Sequence, residues 1–165
     1  SPRRHTRRRV QMTNVIEAST DIDAPPREVW EVVSDLKRMG EWSPQCRRMH
    51  VFGDVRLGAR TLNLNHQGRV FWPTDAKVVR YEPQRAIAFR ITVNRTVWTY
   101  ELTETQAGTR LTERREVPEG ISRLSGFLTG KVLGSTPRFE RGLQRGIEQT
   151  LARIKAEVEH QPAAS

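Results

Sequence analysis

Few residues in this chain have the type and spacing to do chemistry, and most of those fail on inspection. The four histidines are scattered at His5, His50, His66 and His160. None has a second ligand one helical turn away, so no metal site is expected. No nucleophile elbow or phosphate-cradling glycine loop is present. Cys46 is the single cysteine, which excludes an internal disulfide and a multi-cysteine zinc site. Arg47 and Arg48 beside it would lower its pKa, but it has no base partner, and the plain reading is a strand thiol. What remains is carboxylate and guanidinium chemistry. In 109–117, alternation places Glu113 and Arg115 on the same strand face as Leu111 and Val117. In 96–105, Trp98, Tyr100 and Leu102 share a face. Charges on an apolar face need each other, other polar side chains or a ligand. A carboxyl in apolar surroundings also has a raised pKa, which suits acid/base work.

The elements that would hold these residues follow from periodicity. Phe139, Leu143, Ile147, Leu151, Ile154 and Val158 recur every three to four residues, giving one apolar face of a helix over 136–159. Such a helix is about 33 Å long and needs a broad apolar surface to lie on. Strands expected at 14–22, 45–52, 59–67, 69–81, 86–94, 96–105 and 109–117 supply it. Their joints carry turn residues, including Gly53-Asp54, Gln67-Gly68, Glu82-Pro83 and Ala107-Gly108. Short joints between long strands predict an antiparallel meander. Asp23-Ala24-Pro25-Pro26 opens a helix with Val29, Trp30, Val33 and Leu36 on its buried stripe, and a second short helix covers 36–41. On 86–94, Ile87, Phe89, Ile91 and Val93 face one way, and on 69–81 Trp72 aligns with Thr74, Ala76 and Val78. Gly126, Gly130 and Gly134 mark a loose or closely packed segment ahead of the long helix.

The chain has 165 residues, a net charge of +9, 36% hydrophobic and 28% charged residues, so one globular domain is expected. Residues 1–11 contain five arginines and no acid; removing those five leaves +4 on the remainder. The excess is therefore on a tail rather than a folded face. Such a tail fits a tether for nucleic acid or an anionic membrane, or simply a disordered leader before Met12. The expected organisation is a basic tail over 1–12, one domain over 13–160 and a frayed end over 161–165. No secretory signal or membrane span is visible, and a cytoplasmic location fits.

Taken in order, several segments resemble one superfamily. They are Ile22-Asp23-Ala24-Pro25 followed by Val29-Trp30 and Ser34-Asp35; Trp42-Ser43-Pro44; Gly58-Ala59-Arg60 with Asn65; Trp72 to Pro83; Trp98-Thr99-Tyr100-Glu101-Leu102; and Gly108-Thr109-Arg110-Leu111-Thr112-Glu113. Over roughly residues 14–158 the chain is similar to the START-like (SRPBCC) superfamily, in its polyketide cyclase/dehydrase and lipid-transport branch. The resemblance implies an α+β helix-grip fold: a curved antiparallel sheet of about seven strands around a long C-terminal helix, with two short helices after the first strand. It also implies an internal cavity for an apolar or amphipathic small molecule. The family register turns Thr61, Asn63 and Asn65 inward, although alternation alone would bury Leu62 and Leu64. Candidate ligand-binding residues are then Trp42, Thr61, Asn63, Asn65, Trp72, Phe89, Trp98, Tyr100, Glu113 and Arg115. Trp42 and Trp72 are as easily core as cavity wall.

Three functions fit. The first is a carrier or sensor for a lipid, polyketide or terpenoid-like molecule, with the Gly126–Gly134 segment as lid. The second is a cyclase or dehydratase with Glu113 as acid/base, assisted by Tyr100. The third is a regulatory protein acting through its tail on nucleic acid or membrane. No cofactor or metal is expected, and the protein would be a monomer or homodimer.

Overall fold

A computed structural model describes residues 12–118 and 137–160. The basic tail over 1–11, the Gly126–Gly134 segment and the C-terminal end over 161–165 lie outside the described residues. The chain runs β1 (Met12–Ile22), α1 (Pro26–Val33), a 3-10 turn (Leu36–Arg38), α2 (Met39–Trp42), β2 (Cys46–Phe52), β3 (Arg60–Gln67), β4 (Val70–Glu82), β5 (Ala86–Ile91), β6 (Val97–Thr105), β7 (Gly108–Pro118) and α3 (Pro137–His160). The strands form one antiparallel sheet in the order β1-β7-β6-β5-β4-β3-β2. This is the expected meander from β2 to β7, with β1 returning beside β7. The α+β helix-grip fold inferred from the sequence is the fold observed.

The described elements agree with the periodicity to within a few residues. β5 ends at Ile91, so Val93 is 77% exposed in the following turn rather than inward-facing. There the strand closes into a turn: Ile91 is the last residue paired with β4, opposite Ala76, its N–H donates to the Thr96 carbonyl at 2.9 Å, and Arg95 takes a positive φ of 53°. α3 buries Leu143, Ile147, Thr150, Leu151, Ile154 and Val158. Phe139, expected on the same stripe, is 39% exposed, because it lies in the first turn of the helix.

α3 is secured over the concave face by bonds to both neighbouring layers. Lys155 Nζ donates to the Asp21 carbonyl at 2.6 Å, and Gln144 donates to the Glu17 carbonyl at 3.3 Å. Arg38 pairs with Glu157 at 2.6 Å, and Arg153 donates to the Trp42 carbonyl at 3.3 Å. α1 adds Val29, Trp30, Val32 and Val33 to the core, and Trp30 meets Tyr81 edge-on at 5.5 Å.

Gly40 sets how closely α2 approaches the sheet edge. A Cβ there would stand 2.3 Å from the Arg47 carbonyl oxygen. The small residue lets α2 lie on the β2 backbone and carries Met39 into the core. Gly142 contrasts with it, since a Cβ there meets nothing within 4 Å. Gly146, four residues on in α3, meets only Pro44 Cγ at 3.6 Å, so these two glycines do not form a close-packing stripe. Gly40→Ala is expected to cost about 1–3 kcal/mol, through displacement of backbone against backbone. Gly142→Ala should be neutral or stabilise by about 0.5–1 kcal/mol. Urea unfolding of the two variants against the parent checks the pair.

Candidate functional site

Cross-strand register brings the site together. Tyr100 on β6 lies directly opposite Glu113 on β7, and both point to the concave side. The Tyr100 hydroxyl donates to Glu113 Oε1 at 2.6 Å. Glu113 is 2% exposed, and its Oε2 is buried with no hydrogen-bond partner among the described residues. Loss of hydration dominates its titration. Burial pushes the carboxyl up to about 8, and the Tyr100 hydrogen bond opposes this only in part. Burial, then the neighbouring Glu113, holds the Tyr100 phenol well above its ordinary range. At neutral pH the carboxyl is thus mainly a neutral acid. Met39 Sδ stands 3.6 Å from the Tyr100 hydroxyl. Because the hydroxyl has one proton, it serves the carboxyl or the sulfur, not both.

These groups open on a cleft of about 90 Å³ lined by Met39, Ser43, Gln45, Cys46, Met49, Asn63, Asn65, Phe89, Ile91, Trp98, Tyr100 and Glu113. A smaller cleft of about 20 Å³ shares Ser43, Gln45, Trp98 and Glu113 and reaches Leu143, Gly146, Ile147 and Thr150 of α3. Glu113 borders both. Larger clefts lie on the outside of the molecule, for example the 370 Å³ groove between β1 and α3, but no buried titratable group faces them.

The inward register of β3 is as the resemblance implied. Thr61 and Asn63 are buried, while Leu62 and Leu64 are 48% and 40% exposed. Thr61 donates to Asn63 Oδ1 at 2.8 Å, and Asn63 and Asn65 donate to Thr74 Oγ1 at 3.3 and 2.8 Å. This network satisfies polar groups that would otherwise be costly to bury. Thr61 supports Asn63 from behind and does not itself line the cleft.

The other expected site residues divide. Phe89, Trp98, Tyr100 and Glu113 reach the cleft. Trp42 does not: it is 3% exposed in the core, with the Arg38 guanidinium 4.7 Å above its ring. Trp72 is on the concave side but 39% exposed, beyond the cleft lining, because β4 projects past the end of β5. Arg115 does not pair with Glu113. Register sets it opposite Trp98, and its guanidinium lies 6.0 Å from both the Trp98 and Phe139 rings. Burial lowers its pKa, opposed by Glu140. Cys46 is buried, and burial pushes its thiol up to about 11, so the flanking arginines do not activate it. Both of them are exposed to solvent.

Sequence reasoning missed Met39, Ser43, Gln45, Cys46, Met49 and Ile91 as lining residues. Met49 alternates with Val51 on β2 and was recoverable from that period. Met39 and Gln45 gave no signal, since their approach depends on how α2 docks, while Ser43 lay in a segment that carried the family resemblance. Among the described residues, no cluster of three His, Cys, Asp or Glu could hold a metal. No described helix is long and apolar enough to cross a membrane.

Comparison with known families decides the assignment. The family described as polyketide cyclase/dehydrase and lipid transport matches residues 13–159. The chain belongs to that family. Among solved structures, a polyketide cyclase-like protein from Corynebacterium glutamicum is 28% identical, with 92% of this chain and 97% of that chain covered and a TM-score of 0.61. The aromatase/cyclase ZhuI from a Streptomyces species is 18% identical over 94% of this chain and 99% of its own, with a TM-score of 0.70. The di-domain aromatase/cyclase BexL is 16% identical over 90% of this chain and 51% of its own, with a TM-score of 0.66. At these latter identities the likeness is one of fold. No curated protein matches the chain in sequence. In this member of the polyketide cyclase/dehydrase and lipid transport family, Glu113 and Tyr100 form a buried hydrogen-bonded pair at the cleft.

The raised carboxyl has a thermodynamic signature. The native carboxyl keeps its proton up to about pH 8, whereas the unfolded one loses it near 4.5. Over that window the native state binds more protons, so stability falls as pH rises, by about 1.4 kcal/mol per pH unit. Below pH 4.5 the contribution is complete, and above pH 8 it is gone. Relative to Glu113→Gln, the parent should lose on the order of 4 kcal/mol between pH 4.5 and 9. Urea unfolding of both proteins across that range measures it. Parallel curves would mean that the carboxyl titrates as in water.

Proposed function

We propose that this protein binds an apolar or amphipathic small molecule bearing an oxygen function between the sheet and α3, as a carrier or sensor. The observation that carries this reading is the buried, unpartnered Oε2 of Glu113 at a cleft with apolar and amide walls. A neutral carboxyl there donates a hydrogen bond to a ligand carbonyl or hydroxyl without bringing a charge into the core. Phe89, Ile91 and Trp98 supply apolar contact, and Asn63 and Asn65 add amide groups across the cleft from the acid. Apolar walls with a few convergent polar groups are the usual composition of a small-molecule site. The family description, which includes lipid transport, supports the same reading.

A second reading is favoured by one specific observation. A carboxyl pushed up to about 8 can both hold and release a proton near neutrality. In an aldol closure the ionised Glu113 carboxylate would take the proton from the enolising carbon, hold it as the neutral carboxyl, and return it to the new alkoxide oxygen, with the Tyr100 hydroxyl donating to the carboxylate before the first transfer and after the second. The description of the family as cyclase/dehydrase supports this alternative.

Native mass spectrometry of the purified protein, followed by denaturation and extraction, is the direct test. A co-purifying apolar molecule near one equivalent supports the carrier reading; its absence from fresh preparations counts against it. Glu113→Gln then separates the two readings. Under the first, the variant keeps binding within about ten-fold, the loss of one hydrogen bond. Under the second, it binds and loses turnover of a poly-β-ketone substrate by roughly 10²–10⁴-fold.

A further inference from the structure

Alternation leaves an unusual surface on the convex side of β2, β3 and β4, opposite the cleft. The register resolves it into four rows. Phe52, Arg60, Lys77 and Arg90 lie directly across from one another on β2 to β5. His50, Leu62 and Asp75 form the next row, then Arg48, Leu64 and Pro73, then His66 and Phe71. Phe52 and Phe71 are 57% and 55% exposed, alongside Leu62 and Leu64. Arg60, Lys77, Arg90 and Arg95 border one cleft of about 500 Å³.

Two features set this face apart from ordinary surface. Like charges directly opposite on adjacent strands destabilise a sheet, and here three cations stand in one row. No ion pair of the described residues involves any of Arg60, Lys77, Arg90 or Arg95. The one carboxylate among them, Asp75, accepts from Thr92 at 2.7 Å. The neighbouring part of the same convex face is neutralised. There Arg80 pairs with Glu82 and Glu101, and Arg114 pairs with Glu17, Glu101 and Glu116. The second feature is that large apolar side chains interleave with the free cations, where solvated strands carry polar ones.

We propose that this face docks the protein on an anionic lipid bilayer, with Phe52, Leu62, Leu64 and Phe71 entering the headgroup boundary and Arg60, Lys77 and Arg90 contacting lipid phosphates. Charge complementarity selects this occupant, because the cations lack internal partners and lie among side chains that prefer the interface. A duplex nucleic acid would meet the cations but leave the leucines and phenylalanines against phosphates. A second copy docked about a two-fold axis would bring the cationic row towards its own image. The proposal is independent of what the cleft holds, and it places the membrane contact on the folded domain rather than on residues 1–11.

Flotation of the full chain with vesicles of phosphatidylcholine, alone or with one-third phosphatidylserine, tests it. Binding should be much stronger to the anionic vesicles and fall as salt rises. Arg60→Gln with Arg90→Gln should weaken it by about 25-fold, at about five-fold per charge. Leu64→Ser with Phe71→Ser should weaken it on anionic vesicles while leaving the thermal unfolding midpoint near the parent's, since these side chains are exposed. Equal binding by the parent and both double variants would overturn the proposal. So would binding that is lost on replacing the five tail arginines with serine but kept in Arg60→Gln with Arg90→Gln. No preference for anionic vesicles, or a dimer in light scattering that Leu64→Ser with Phe71→Ser dissociates, would also overturn it.

Discussion

The structure depends on how it keeps one carboxyl, Glu113, out of water. An ionised carboxylate between sheet and helix would cost several kcal/mol without a full set of donors. Among the described residues this one has a single donor, the Tyr100 hydroxyl, and no counter-ion, because Arg115 is turned over aromatic rings instead. The carboxyl therefore stays protonated and keeps one oxygen free. Each element around it contributes to that state. β6 and β7 set the pair in register, α2 brings Met39 against the phenol, and α3 closes the side away from the sheet. A core that tolerates such a group at a permanent energetic disadvantage is the expected form of a functional site, where stability is lower than packing alone would allow.

β3 illustrates a second constraint. Its alternation is inverted, with Thr61, Asn63 and Asn65 towards the concave side and Leu62 and Leu64 towards solvent. The inward polar groups are satisfied by one another and by Thr74, so the inversion does not leave buried donors idle. The outward leucines have no such compensation among the described residues. One strand thus serves both unusual surfaces, the amide wall of the cleft and the apolar-cationic convex face. A strand whose two faces are both exchanged is hard to explain by folding requirements alone, because the opposite pattern would bury more apolar area.

Membership of the polyketide cyclase/dehydrase and lipid transport family accounts for the architecture, and the structural neighbours share it at low identity. Architecture of this kind hosts many activities. The functional reading of this chain therefore rests on side chains: an acid opposite a tyrosine, a β3 amide ladder, and an outer row of cations without ion pairs among the described residues.

Periodicity and turn chemistry alone determined the element order, the meander and the face of α3 that is buried, because spacing of 2 or 3.6 residues is a property of the local chain. They also put Glu113, Tyr100 and Trp98 on one side of the sheet. The inward register of Thr61, Asn63 and Asn65 was legible only through family likeness, since hydrophobicity pointed the other way. Tertiary structure decided the rest. Trp42 became core when Arg38 and α3 closed over it, and Trp72 fell outside the cleft because β4 outruns β5. Arg115 turned from Glu113 to Trp98 because cross-strand neighbours are closer than residues two apart on one strand. Met39 joined the site through the docking of α2, set by Gly40 against the Arg47 carbonyl. These outcomes depend on how far each strand extends and on what packs across it, distances that no local pattern in the sequence encodes.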